Sequence, residues 1–121
     1  MSNNESMRKS LKDRAKEFDT LLPFMEGRDK GDTKELLGTV NTIRDFGFLP
    51  NDKGEFYAAF IVDERPKKFY FGGTVMTDRL TQLDQDGYHE DVVVEGLPVL
   101  MTEKKSKNNR TFTNVVFYPE D

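Results

Sequence analysis

The apolar residues change their period near residue 34, and the two periods predict two kinds of structure. Met7, Leu11, Ala15, Phe18, Leu22 and Met25 recur three or four positions apart, which gives one apolar stripe and predicts an amphipathic helix. Ser2 and Glu5 have the spacing of a capping box, and Leu22-Pro23 supplies a stop. Glu26 to Asp32 is polar and punctuated by Gly27 and Gly31, the composition of a linker. From Lys34 onward apolar and polar positions alternate with a period of two. The chain therefore divides into a helix and linker over 1–33 and a β domain over 34–121.

Within that domain five strands are expected. Leu36 to Ile43 alternates as a first strand with both faces partly used. Arg44 to Gly54 follows as a long turn carrying Phe46 and Phe48. In the second strand Phe56, Ala58, Phe60 and Val62 face one way and Tyr57, Ala59 and Ile61 the other. Asp63 to Lys68 forms a charged turn, in which Pro66 cannot continue an inner strand. Phe69-Tyr70-Phe71 makes a third strand, closed by Gly72-Gly73. A short helix then opens with Thr77 as N-cap, buries Leu80 and Leu83, and ends at Gly87. Asp91 to Met101 reads as the fourth strand and Thr111 to Tyr118 as the fifth, joined by a polar hairpin from Glu103 to Arg110. A lone helix between the third and fourth of five strands is the connectivity of the OB barrel, whose closure removes exposed strand edges. The expected fold is thus mainly β, a five-stranded OB barrel preceded by an amphipathic helix.

Charge and composition narrow the chemistry. The 121 residues suit one domain and include no cysteine, which rules out disulfides, thiolate metal sites and cysteine nucleophiles. No stretch approaches the roughly 20 apolar residues needed to span a bilayer, and the N-terminus lacks the apolar run of a signal peptide. A soluble, cytoplasmic chain without membrane partners is expected. The net charge is −4, and the first 33 residues are neutral, so the β domain carries all of it. Even so, Lys104, Lys105, Lys107 and Arg110 crowd the last hairpin, and a local patch can bind phosphate on an acidic molecule. His89 is the only histidine and reads as a turn residue. No nucleophile–base motif, phosphate-cradling glycine motif or ordered calcium loop is present, so neither an enzyme nor a cofactor is expected.

Phe71-Gly72, the helix that follows, and Val92-Val93-Val94-Glu95-Gly96 resemble, in that order and at about that separation, the bacterial single-stranded DNA-binding proteins. Leu37-Gly38-Thr39-Val40 is similar to that family's opening strand, Tyr57 to Val62 to its second, and Arg110 to Val116 to its last. The similarity is one of pattern and covers Lys34 to Tyr118. It implies an OB-fold protein that binds single-stranded DNA with little sequence preference during replication or DNA transfer. The family's housekeeping members add a long tail with an acidic tip that recruits other proteins. This sequence stops at Asp121, so it resembles a tail-less member of the kind found on phages or conjugative plasmids.

Binding a single strand requires flat rings for the bases and cations along the phosphates. The second and third OB strands and the two loops beside them supply the candidates. These are Arg44, Phe46 and Phe48 from the first loop, Tyr57 and Tyr70 on the strands, and Lys67 and Lys68 in the turn. Lys104, Lys105, Lys107, Arg110 and Phe112 complete the set. Strand phase assigns Phe56, Phe60 and Phe71 to the core and Tyr57 and Tyr70 to the surface. The N-terminal helix either pads its own barrel or docks on a neighbouring subunit, as expected in a homo-oligomer that coats a strand. Two alternatives stay open: an OB-fold adaptor for protein partners, and a binder of single-stranded RNA.

Overall fold

The computed structural model describes residues 22–119. Most of the expected amphipathic helix lies outside them; of its apolar stripe only Leu22 and Met25 are described, and Pro23–Met25 forms a 3₁₀ turn. The described chain is mainly β, with six strands in one mixed sheet and two α-helices. The strands are β1 (Asp29–Lys30), β2 (Val40–Pro50), β3 (Phe56–Val62), β4 (Lys68–Phe71), β5 (Leu97–Lys105) and β6 (Thr111–Phe117). The helices are α1 (Thr74–Gln85) and α2 (His89–Glu95). The sheet order is β1-β4-β3-β2-β5-β6. All ladders are antiparallel except that of β1 on β4. No ladder joins β4 to β6, so the sheet is curled but not closed into a barrel.

β2 does the curling. Val40 to Ile43 pairs with β5, whereas Ile43 to Pro50 pairs with β3, and the register shifts between Ile43 and Asp45. A bulge of this kind bends a strand and reverses which parity faces inward. Asn41 and Ile43 are buried before it, and Phe46 is buried with Phe48 packed beside it afterwards. The long turn expected over Arg44 to Gly54 is therefore mostly strand, and the reversal shortens the connection to Asn51–Glu55. There Asn51 Oδ1 accepts from the backbone N–H groups of Lys53 and Glu55, both at 2.9 Å.

The interior is filled by Leu36, Ile43, Phe46, Phe60, Val62, Tyr70, Leu80, Val99, Met101 and Val115, all with almost no exposed surface. Cross-strand neighbours share a face of a sheet. Phe60 lies opposite Tyr70 and Ala59 opposite Phe71, so Tyr70 goes in with Phe60 and Phe71 goes out with Ala59. This corrects the expected phase of the third strand. The phenylalanines do not share a face; the tyrosine belongs to the core. Phe56, expected inside, is 64% exposed because the strand has not yet entered the core there.

Two further expectations are corrected. Residues 26–32 are not a free linker: β1 extends the sheet beyond β4, with Asp29 N–H donating to Lys67 O at 2.9 Å and Gly31 N–H to Phe69 O at 2.8 Å. A 3₁₀ turn over Thr33–Leu36 follows, closed by a capping box in which Asp32 and Glu35 bond each other's backbone. Consequently the expected first strand starts only at Val40.

The second correction concerns Val92 to Glu95, which form the end of α2 rather than a strand. Three consecutive β-branched residues favour a strand only weakly, by a few tenths of a kcal/mol each. Against that, Glu90 and Asp91 lie in the first turn, where the helix dipole favours them. At the other end the Arg44 guanidinium donates to Val93 O and Val94 O, both at 3.2 Å. Gly96, at φ +79°, then turns the chain into β5 in a space where a Cβ would come within 2.6 Å of Thr42. As expected, α1 ends at Gly87, whose φ is +88°. It starts four residues earlier than expected, with Gly73 rather than Thr77 at the N-cap, leaving Thr77 Oγ1 free to accept from Ala58 N–H at 3.0 Å and tie the helix to β3.

Candidate nucleic-acid interface

β3 and β4 turn a second apolar face outward. Tyr57 and Ala59 from β3, Phe69 and Phe71 from β4 and Leu49 from β2 form a cluster of their own. The Tyr57 and Phe71 rings meet edge to face at 5.1 Å between centroids, and Phe69 lies 5.5 Å from Phe71. Lys30 Nζ sits 5.1 Å above the Phe71 ring, a cation–π geometry. All three rings are partly exposed. Met25, in the 3₁₀ turn Pro23–Met25, belongs to the same cluster, and Leu22 and Phe24 pack against it.

The last hairpin holds the second group. Lys104 lies opposite Phe112 and Lys105 opposite Thr111 across β5 and β6. The loop between them is closed by Ser106 N–H to Arg110 O at 2.8 Å, with Asn109 in the left-handed region at φ 61°. Lys104, Lys105, Lys107 and Arg110 are exposed, and no ion pair within 4 Å joins them to a described acidic residue. The Phe112 ring is 40% exposed. A cleft of about 250 Å³ follows the unclosed seam and is lined by Thr33, Gly72, Gly73, Thr111 and Phe112 among others. Thr33 also borders an open depression bounded by Lys30 and Phe71. Thr33 is thus common to the cleft beside Phe112 and the depression beside Phe71.

The sequence-derived candidates fall into three sets. Tyr57, Lys67, Lys104, Lys105, Lys107, Arg110 and Phe112 are on the surface, as expected. Phe46 and Tyr70 are not, with 1% and 0% of their surface exposed, and neither can stack a base. Phe48 faces the same interior, 5.9 Å from Phe46.

Arg44 and Lys68 are committed to partners within the fold. Arg44 forks onto Asp63 at 3.0 and 2.6 Å while capping α2. The shared hydrogen bond lowers the Asp63 pKa and raises that of Arg44. Lys68 Nζ donates to both Glu35 oxygens at 2.9 and 3.1 Å, and this contact is the main cause of Glu35 being held below its ordinary pKa. Glu35 also accepts from the Tyr70 hydroxyl at 3.4 Å, which gives the buried phenol its partner. Burial raises the Tyr70 pKa, helped by the Glu35 charge.

Sequence reasoning missed Phe69, Phe71 and Lys30. The signal for the two rings was available, since Phe69 and Phe71 share a parity that a Tyr70-in register turns outward. Lys30 carried no signal, because nothing in Glu26 to Asp32 marks a strand. His89 is not a loose turn residue either: its Nε2 lies 2.9 Å from Asp45 Oδ1 and its ring 4.5 Å from Phe46. These contacts fasten the start of α2 to the bulge of β2. Among the described residues no group of three or more His, Asp or Glu could hold a metal ion. None of the described helices is long and apolar enough to cross a membrane.

Comparison with protein-family models, curated proteins and solved structures finds no match to this chain. The resemblance to single-stranded DNA-binding proteins therefore rests on the residues alone. One of its signposts, Val92 to Glu95, is helical where that family has a strand.

Proposed function

We propose that this chain binds single-stranded DNA with little sequence preference and without catalysis. The observation that carries the reading is the outward cluster of Tyr57, Phe69 and Phe71, together with a hairpin of four exposed cations whose Phe112 lines the cleft at the seam. Rings that stack bases and cations that follow phosphates are what sequence-tolerant binding needs, at about 1–3 kcal/mol per stacked base. The order β4-β3-β2-β5-β6 supports an OB-type fold, being that of an OB barrel opened between its third and fifth strands. In such folds the second and third strands carry the ligand, and here they carry the aromatic cluster. Arg44, Phe46, Phe48, Lys68 and Tyr70 belong to the scaffold.

Fluorescence anisotropy with a labelled oligothymidine tests the proposal. Binding should weaken steeply as salt rises, because each neutralised phosphate releases counterion. No binding at low salt would refute it. A matched oligouridine in the same titration separates DNA from RNA preference. A second reading, a protein-binding adaptor, has one observation in its favour. Val40, Leu100 and Val116 form a cross-strand row on the outer face of β2, β5 and β6, and Val40 and Val116 are 49% and 39% exposed.

A further inference from the structure

We infer that Leu22–Met25 is a displaceable strap, which occupies the aromatic face of β3 and β4 when the chain is free and leaves it when a single strand binds. The inference rests on the nucleic-acid reading above and concerns regulation of that same face. Leu22, Phe24 and Met25 pack into the same cluster as the rings that would stack bases, and Met25 is 7% exposed. A base seeking this cluster competes with these side chains for the same apolar surface.

The attachment is of a kind that can peel. The backbone hydrogen bonds of residues 22–26 among the described residues are local: Met25 N–H to Leu22 O at 2.9 Å, Glu26 N–H to Pro23 O at 3.3 Å, and Met25 O accepting from Arg28 N–H at 3.1 Å. None reaches the sheet, so among the described residues the strap is held down by side-chain packing. Directly after it the chain is anchored. Arg28 donates to Pro66 O, and Asp29 and Gly31 bond β4 through their backbone. Gly27, at φ +79° with nothing within 4 Å of a Cβ position, stands between the loose part and the fixed part as a hinge. β2 supplies the seat: Leu22 Cδ1 and Cδ2 lie 2.9 Å from where a Cβ on Gly47 would be, so a side chain at 47 would push the Leu22 methyls aside.

That seat also provides the test. The chain has no cysteine, so Leu22→Cys with Gly47→Cys creates a single disulfide. The Gly47 Cβ position is 3.4 Å from Leu22 Cγ, which is where the sulfur of a cysteine at 22 would stand. Oligothymidine anisotropy is measured on the full-length double variant, oxidised and then reduced, beside the unmodified chain. The oxidised form is expected to bind at least about tenfold more weakly than the reduced form, since locking removes the competent state. Excess oligothymidine should also slow formation of the disulfide. A second variant, Phe24→Ser with Met25→Ser, loosens the strap and should bind about three- to tenfold more tightly than the unmodified chain.

Equal affinity in the two redox states, or looser binding by the serine variant, overturns the strap while leaving the nucleic-acid reading in place. Failure of the unmodified chain to bind overturns both.

Discussion

The two outer halves of the same sheet are treated differently. On β3 and β4 the outward residues Tyr57, Ala59, Phe69 and Phe71 are gathered into a cluster and covered by Leu22, Phe24 and Met25. On β5 and β6 the outward residues Leu100, Thr102, Lys104, Phe112, Asn114 and Val116 are left uncovered by any described segment, with Phe112 40% and Val116 39% exposed. Both halves alternate with a period of two and both back onto the same interior. Alternation therefore says that a strand has two faces, but not which face finds a cover. That depends on a turn of chain more than thirty residues before β3.

Four expectations follow, from the largest effect to the smallest. Phe46→Ala and Tyr70→Ala should each cost about 3–5 kcal/mol in urea unfolding, because each empties a large volume from the interior. Values near those of surface substitutions would show that neither ring belongs to the core. Met25→Ala should cost about 2 kcal/mol, near the lower end for a buried methionine, while Phe112→Ala should change stability by no more than about 0.5 kcal/mol. Equal costs at these two sites would erase the contrast between the halves.

Replacing Lys104, Lys105 and Lys107 together with alanine should leave the melting temperature unchanged and weaken binding to all single strands alike. The log–log salt slope should fall by about 2, given about 0.7 per phosphate contact. An unchanged slope would remove the hairpin from the interface.

The smallest effect is on acid stability. Glu35 and Asp63 have pKa values lowered in the folded state by Lys68 and Arg44. Their contribution is complete above the unfolded carboxylate pKa and is lost as pH falls through the lower folded value. Both pairs are largely solvated, so the contribution is modest. Lys68→Met should flatten the acid limb of a stability–pH curve slightly and leave the slope near neutrality unchanged.

Much of the β framework was legible, and the reasons are local. β3 reads from Phe56 to Val62 because its alternation is unbroken, α1 ends where Gly87 permits a positive φ, and β6 begins where the polar hairpin stops. What was not legible depended on distant partners. The bulge between Ile43 and Asp45 exchanges the faces of β2 without leaving a turn residue, which hid Phe46 and Phe48. Val92 to Glu95 is helical partly because Arg44, about fifty residues earlier, caps it. Tyr70 goes inside because its register partner is Phe60 and because Glu35 is there to receive its hydroxyl. Of the candidate interface, the hairpin cations and Tyr57 could be named from sequence; Phe69 and Phe71 needed the pairing of β3 with β4.

The most direct measurement of the proposed interface is amide chemical-shift mapping of the full chain titrated with a short oligothymidine. The expected result is a set of perturbed amides on β3 and β4 around Tyr57, Phe69 and Phe71, on Lys104 to Phe112, and at the Leu22–Met25 strap and its Gly27 hinge. Perturbations confined to Val40, Leu100 and Val116, or none at saturating oligonucleotide, would contradict it.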